Sequence, residues 1–283
     1  MTGHSATGEG AGSPVLVVEG RPATWGGWLR EVASFWPVLV TLARKEFKTR
    51  YKGAALGVLW AVAIPLLQAA VLTFVFSRAI RGGIGGVEHY GAYVLSGMLG
   101  WSYFATTLMP ATTSIVDGAS LTDKVWFPRI LLVLTAPMAN LVGLAVTHVA
   151  LILLLPVLGV ELSARLLLLP LAAALLIAFA TALSSVMAAL HVYFRDTKYL
   201  VQAALMVWLY MTPIIYPASL LGRWEGWLDA NPMTGVVTMF RLATIGGTGW
   251  ERSVAVSVVA TVALALTAVE VHRRHDRRFV DLL

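Results

Sequence analysis

Hydrophobic and polar positions divide this chain into long uncharged runs separated by short charged stretches. Residues 57–77 carry no charge, and as a helix that run is roughly 31 Å long, about the thickness of a bilayer's hydrocarbon core. Pro65 inside it predicts a kink. Runs at 91–110, 130–158 (broken by Pro137), 166–190 and 254–271 repeat the pattern. The stretch 191–217 opens on Arg195, Asp196 and Lys198, continues without charge, and closes on Pro213 and Pro217. It predicts a span that bends or breaks near its far end, which lipid tolerates only where the break packs against protein or lines a cavity. The pattern therefore predicts six spans, with both termini on one side.

Two segments depart from it. Over 25–52, Trp36, Leu39, Val40, Ala43, Phe47 and Tyr51 recur at helical spacing, with Thr41, Arg44, Lys45, Lys48 and Lys52 on another face. An apolar stripe beside a basic face, with Trp25, Trp28 and Trp36 as anchors, predicts an amphipathic helix in the membrane interface. Over 218–252, Trp224, Trp227 and Leu228 precede Asn231-Pro232 and an apolar run at 233–245 interrupted by Arg241. That run is too short to cross and predicts short re-entrant helices before the last span. The domain reading is a disordered cytoplasmic tail (1–24), the interfacial helix (25–52), a six-span transmembrane domain (53–271) and a basic tail (272–283).

Composition agrees with an all-α membrane protein. Hydrophobic residues make up 58% and charged residues 13%, against about 45–50% and about 25% in soluble domains. The first thirty residues lack the apolar core of a cleaved signal, so the N-terminus is expected to be retained. Of the Lys and Arg residues, 15 fall on the side of the termini and 6 on the other. The positive-inside rule then places both termini in the cytoplasm.

The spans are also informative in what they lack. No Asp, Glu, Lys or Arg lies inside spans one, three, four or five, whereas ion-coupled transporters keep ionisable groups near the midplane. His148 is the mid-span candidate, with Asn140, Gln68 and Gln202 as polar company, and reads as a buried hydrogen-bond partner. The chain has no cysteine, metal-ligand spacing, catalytic carboxylate pair or phosphate-binding G-x-x-x-x-G-K-[ST] loop. Energy for uphill transport is expected from another chain. Aromatic residues do recur: Tyr90, Tyr93, Trp101 and Phe104 share one face of span two, Trp60 lies in span one, and Trp208, Tyr210 and Tyr216 in span five. Flat rings with polar edges suit sugar rings, so Trp60, Tyr93, Trp101, Phe104, Trp208 and Tyr210 are candidate conduit residues.

Several separated motifs lie in one order: RYKGAALGVLW (50–60) followed by Pro65, YVLSGMLGWSYF (93–104), LTDKVWFPRI (121–130), FRDTKY (194–199), TPIIYP (212–217), and Asn231-Pro232 with Arg241. With these the chain resembles the permease subunit of ATP-binding cassette exporters of lipid-linked polysaccharides such as O-antigen, teichoic acid and galactan precursors. Gly100 departs from the family's frequent proline before the tryptophan. The resemblance implies a homodimer with two ATPase subunits that bind ATP and Mg, so this chain holds no cofactor or metal and is not an enzyme. It implies a lipid-pyrophosphate-linked glycan as cargo, membrane lipids as surroundings and no nucleic acid. Arg44, Lys45, Lys48, Arg50 and Lys52 are candidate contacts for the pyrophosphate or lipid headgroups. The loop residues Asp117, Asp123, Lys124, Phe127 and Arg129 are candidate contacts for the ATPase. Arg195 and Asp196 are expected to fix the loop before span five. A drug or small-lipid exporter permease of the same superfamily is the alternative, and a membrane-embedded glycosyl- or acyltransferase a more distant one.

Overall fold

Proline and glycine positions set most of the helix ends. The structure, a computed structural model, describes residues 24–79, 87–122 and 126–276, and among them every regular element is helical. Residues 1–23 of the expected tail, Asp123, Lys124 and the last residues of the basic tail lie outside the described part.

The segment 25–52 forms two helices rather than one, α1 (Trp25–Ser34) and α2 (Trp36–Tyr51). Thr24 caps α1 by accepting the Gly27 N–H at 3.2 Å. Phe35 folds its N–H back onto Val32 at the end of α1, and Pro37, with no N–H to lose, opens α2. The apolar stripe of α2 buries Leu39 and Ala43 against α6, and Arg44, Lys45, Lys48 and Lys52 stay exposed.

Next come α3 (Trp60–Ala79), α4 (Tyr90–Asp117), the single turn α5 (Ala119–Thr122), α6 (Ile130–Leu154), α7 (Leu169–Tyr193) and α8 (Thr197–Met211). The turn α9 (Glu225–Leu228), then α10 (Pro232–Thr244) and α11 (Glu251–His275), complete the described chain. Among the described residues, four stretches are long and apolar enough to cross a membrane: Gly57–Phe76, Ile130–Leu154, Ala164–Tyr193 and Glu251–His275. The helix α4 has the length, at 28 residues, but is more polar. The 15 residues of α8 reach about 22 Å, short of the roughly 30 Å hydrocarbon core.

The polarity of α4 follows from its position at the centre of the bundle. It packs on α3, α6, α7, α8 and α10, so Ser96, Thr107 and Thr112 face protein, not lipid, and are fully buried. Lipid gives helices little hydrophobic reason to associate, so close packing has to hold them. Gly97 shows how: a Cβ there would lie 3.1 Å from Ile214 and 3.3 Å from Val237, so glycine lets the 212–217 segment and α10 press onto α4.

At Pro110, where the sequence predicts the end of the span, α4 continues. A proline removes the N–H that would bond the carbonyl four residues earlier, here Thr106. Asn140 of α6 donates to that carbonyl at 3.2 Å and to the Thr107 hydroxyl at 2.9 Å. The neighbouring helix thus replaces the missing bond.

Candidate functional site

The break at the end of α8 is tied by side chains of α4 and α10. Beyond Met211 the backbone leaves the helix, and the carbonyls of 213–216 need donors that lipid cannot supply. Arg241 gives Nη2 to Pro213 and, at 3.2 Å, to Ile214. The Tyr93 hydroxyl lies within bonding distance of Pro213 (3.2 Å) and Tyr216 (2.9 Å), and Tyr90 donates to Ile215 at 2.7 Å. The Arg241 guanidinium also sits over the Tyr93 ring, 3.4 Å from its centre. Burial pulls the Arg241 pKa down to about 10, which leaves it a cation at neutral pH. Asn231 completes the cradle. Its Oδ1 caps α10 through Met233 N at 3.0 Å and accepts from Trp208 at 2.7 Å, and its Nδ2 reaches Thr212 at 3.0 Å.

The aromatic residues divide by environment. Trp101, Phe104 and Trp208 form one cluster with Phe179 of α7: Phe104 lies 5.4 Å from Trp101, 5.6 Å from Phe179 and 5.3 Å from Trp208. Phe104 is fully buried and Trp101 nearly so. Tyr93 belongs to the cradle above. Trp60 and Tyr210 face outward, at 44% and 66% exposure. His148 bonds a carbonyl of its own helix, Leu144, at 2.6 Å and packs on Phe240.

At the basic end, Arg50 turns inward from the end of α2. It bonds Asn140 Oδ1 and pairs with Glu46 at 3.3 Å. Above it opens a cavity of 310 Å³ between the end of α2 and helices α3, α4 and α6. Arg50, Asn140, Thr106 and Thr147 line its polar part, and Trp60, Ile64 and Pro65 its apolar part. Arg50 and Trp60, read from the sequence for different roles, share this one space.

The loop before α6 is anchored rather than splayed. Phe127 is buried with Leu39, Leu131 and Leu132. Arg129, 5% exposed, receives Asp276 from the end of α11: its backbone N–H donates to Asp276 Oδ1 at 2.9 Å and its Nη1 to the Asp276 carbonyl at 3.0 Å. Both side chains are thus used in packing within the chain, while Asp117 and Trp126 are exposed. Arg195 and Asp196 are exposed on the tight turn between α7 and α8.

The ABC-2 type transporter family pattern matches residues 37–244, most of the chain. The chain belongs to the ABC-2 type transporter family. It is similar to the O-antigen export system permease protein RfbA of Klebsiella pneumoniae, 26% identical over 248 residues, which covers 87% of this chain and 95% of the relative. A protein of the same name from Myxococcus xanthus is 28% identical over 216 residues, 75% of this chain and 82% of the relative.

For an ABC-2 permease, a family of transport rather than catalysis, sequence patterns single out Tyr90, Asn140 and Asn231 without showing what they join, and they miss Asp276. Tyr90, Asn140, Asn231 and Asp276 each satisfy a group on an element distant in the chain. Asp276→Asn should keep the bond from the Arg129 N–H but lose the charge opposite the buried guanidinium. A loss of roughly 1–3 kcal/mol is expected, read as earlier thermal unfolding, with Asp276→Ala costing more.

Proposed function

We propose that this chain is the transmembrane subunit of an ATP-driven exporter that moves lipid-linked polysaccharide from the cytoplasmic to the outer face of a bacterial inner membrane. The names of its relatives support that cargo class, and the match covers 95% and 82% of their length. The count of six spans is reached by adding two segments to the four apolar ones. These are α4, long and wrapped by protein, and α8 extended through 212–217. α9 and α10 then form the short pair before the last span. Two copies and two ATPase subunits make the working assembly, with ATP and Mg held by the ATPase.

The observation that carries the proposal is the cavity at the basic end. A guanidinium beside apolar walls suits an amphiphile with a phosphate head, and the exposed residues of α3 above it, Ile64, Leu67 and Val71, offer a track for its hydrocarbon chain. The pyrophosphate takes Arg50 from Glu46, aided by the surface charges of Arg44, Lys45, Lys48 and Lys52. Trp60 and Tyr210, exposed in the single chain, line the conduit between copies. Trp101, Phe104, Trp208 and Tyr93 form the wall behind them. Asp117 and the unburied part of the 118–129 loop meet the ATPase.

Export in inverted vesicles containing the chain and its ATPase tests this reading. ATP-dependent transfer of lipid-linked glycan is expected with the native chain. About tenfold less is expected with Arg50→Gln, since a charge-assisted bond is lost, at unchanged membrane insertion. Transport driven by an ion gradient without the ATPase overturns the proposal. Native rates with Arg50→Gln overturn the placement of the head.

A further inference from the structure

Asn140 of α6, 7% exposed, lines the cavity at the basic end together with Arg50 and Thr106. A primary amide has one oxygen that accepts and two N–H groups that donate, and here both ends of it are engaged. Its Nδ2 donates to the Thr106 carbonyl at 3.2 Å and to the Thr107 hydroxyl at 2.9 Å, and its Oδ1 accepts from Arg50 Nη1. The reverse orientation would set N–H groups against the guanidinium and an oxygen against the carbonyl. Thus α4 fixes which end of the amide meets Arg50. The carbonyl that does so is the one Pro110 deprives of its helical partner, so a gap in the ladder of α4 orients an acceptor at the end of α2.

The surroundings keep that acceptor in place. One turn before Asn140 on α6, the Pro137 carbonyl accepts the Tyr103 hydroxyl of α4 at 3.1 Å. One turn after it, a Cβ at Gly143 would lie 3.2 Å from the Ala61 Cβ, so glycine lets α3 close on α6. Arg50 is held unequally on its two sides. Asn140 is buried and uncharged, whereas Glu46, at 3.3 Å, is a carboxylate 40% exposed. An amide oxygen orients a guanidinium without cancelling its charge, and a water-exposed carboxylate is the partner that an incoming phosphate can replace. Bidentate binding of a phosphate needs the planar fork to be aimed, and the fixed amide aims it.

We infer that Asn140 is the positioning residue for Arg50: it directs the guanidinium into the cavity and takes its own orientation from the Pro110 gap in α4. The inference rests on the proposed placement of the pyrophosphate head at Arg50. Pro110 is exposed, which allows positioning to be separated from stability. Asn140→Ala alone leaves the Thr106 carbonyl without its donor and should lower the melting temperature by about 5 °C. Adding Pro110→Ala returns an N–H to that carbonyl from within α4, so the double variant should melt close to the native chain. The probe is farnesyl pyrophosphate, with farnesol as its uncharged counterpart, titrated calorimetrically into the full chain in nanodiscs of neutral lipid. The native chain and Pro110→Ala are expected to bind the pyrophosphate about tenfold more tightly than farnesol, and the double variant to bind it about tenfold more weakly than the native chain. Asn140→Asp in the Pro110→Ala background should weaken it at least as much, because a carboxylate there neutralises the guanidinium. Native affinity in the double variant, with the loss confined to Arg50→Gln, overturns this inference alone. A double variant that melts as early as Asn140→Ala also overturns it, since Asn140 then does not serve the Pro110 gap. If Arg50→Gln binds like the native chain, or the pyrophosphate binds no better than farnesol, the placement of the head falls and this inference with it.

Discussion

Gly235→Ala is expected to destabilise the protein by roughly 3 kcal/mol or more, at the top of the usual range for overpacking. Its melting temperature should fall by about 10 °C. Gly235 lies in α10 where that helix crosses α11. A Cβ added there would stand 2.1 Å from the Ser253 carbonyl oxygen and 2.2 Å from Ser257 Oγ. The carbonyl is helix backbone and has no rotamer to escape into, so the two helices must separate. Separation would also break the bond that Ser257 Oγ makes to the Pro232 carbonyl at the start of α10. Thermal unfolding in detergent checks the effect, with Gly26→Ala as control, since nothing lies within 4 Å of a Cβ at that position. Adding Ser257→Ala to Gly235→Ala should restore little, because the backbone clash remains. Full rescue by that second change would show that the helices yield.

Arg241→Leu is expected to cost roughly 3 kcal/mol and to abolish export while leaving insertion intact. The side chain holds the carbonyls of Pro213 and Ile214, and each buried polar group left unpaired costs about 1–3 kcal/mol. The Tyr93 ring loses its cation as well. Proteolysis should then cut near 212–217, and the native chain is expected to resist there. Arg241→Lys should lie between, because an ammonium keeps the charge but lacks the planar fork that reaches adjacent carbonyls. Tyr93→Phe removes a donor at the same backbone and should cost less than Arg241→Leu, since Tyr90 and Arg241 remain. A native unfolding profile for Arg241→Leu would show that the 212–217 segment is held by packing alone.

Much of the helical framework was legible in residue order. Pro213 and Pro217 mark the end of α8 because a residue without an N–H, or one that cannot continue a helix, acts locally. Asn231-Pro232 marks the start of α10 for the same kind of reason: a side-chain cap and a ring suited to the first turn. The cation faces of α2 and the long apolar runs follow from 3.6-residue periodicity and composition. Other readings needed a neighbour. Pro110 reads as a stop, yet α4 passes through it because Asn140, thirty residues on in another helix, takes up the freed carbonyl. Likewise, periodicity predicts one amphipathic helix across 25–52, and the chain breaks at Phe35 instead.

The site shows the same division. Periodicity places Tyr93, Trp101 and Phe104 on one face of α4, but it does not say what covers that face. Phe179 and Trp208 cover the Phe104 ring, and the 212–217 backbone takes the Tyr93 hydroxyl. Arg241 appears in the sequence as an interruption of an apolar run, with no sign of the carbonyls some 27 residues earlier that it holds. Arg129 reads as a surface charge in a loop, and its partner Asp276 lies 147 residues further on.

By itself the sequence determined that the protein is helical and membrane-embedded, where most helices break, and which end carries the positive charge, because these depend on spacing, prolines and transfer energies that act residue by residue. Only the tertiary structure decided which helix lies at the centre and which polar groups replace the bonds that prolines remove. It also decided which aromatic rings are enclosed and which carbonyls the buried Arg241 holds. Those outcomes depend on the register between elements far apart in the chain, and no local preference encodes that register.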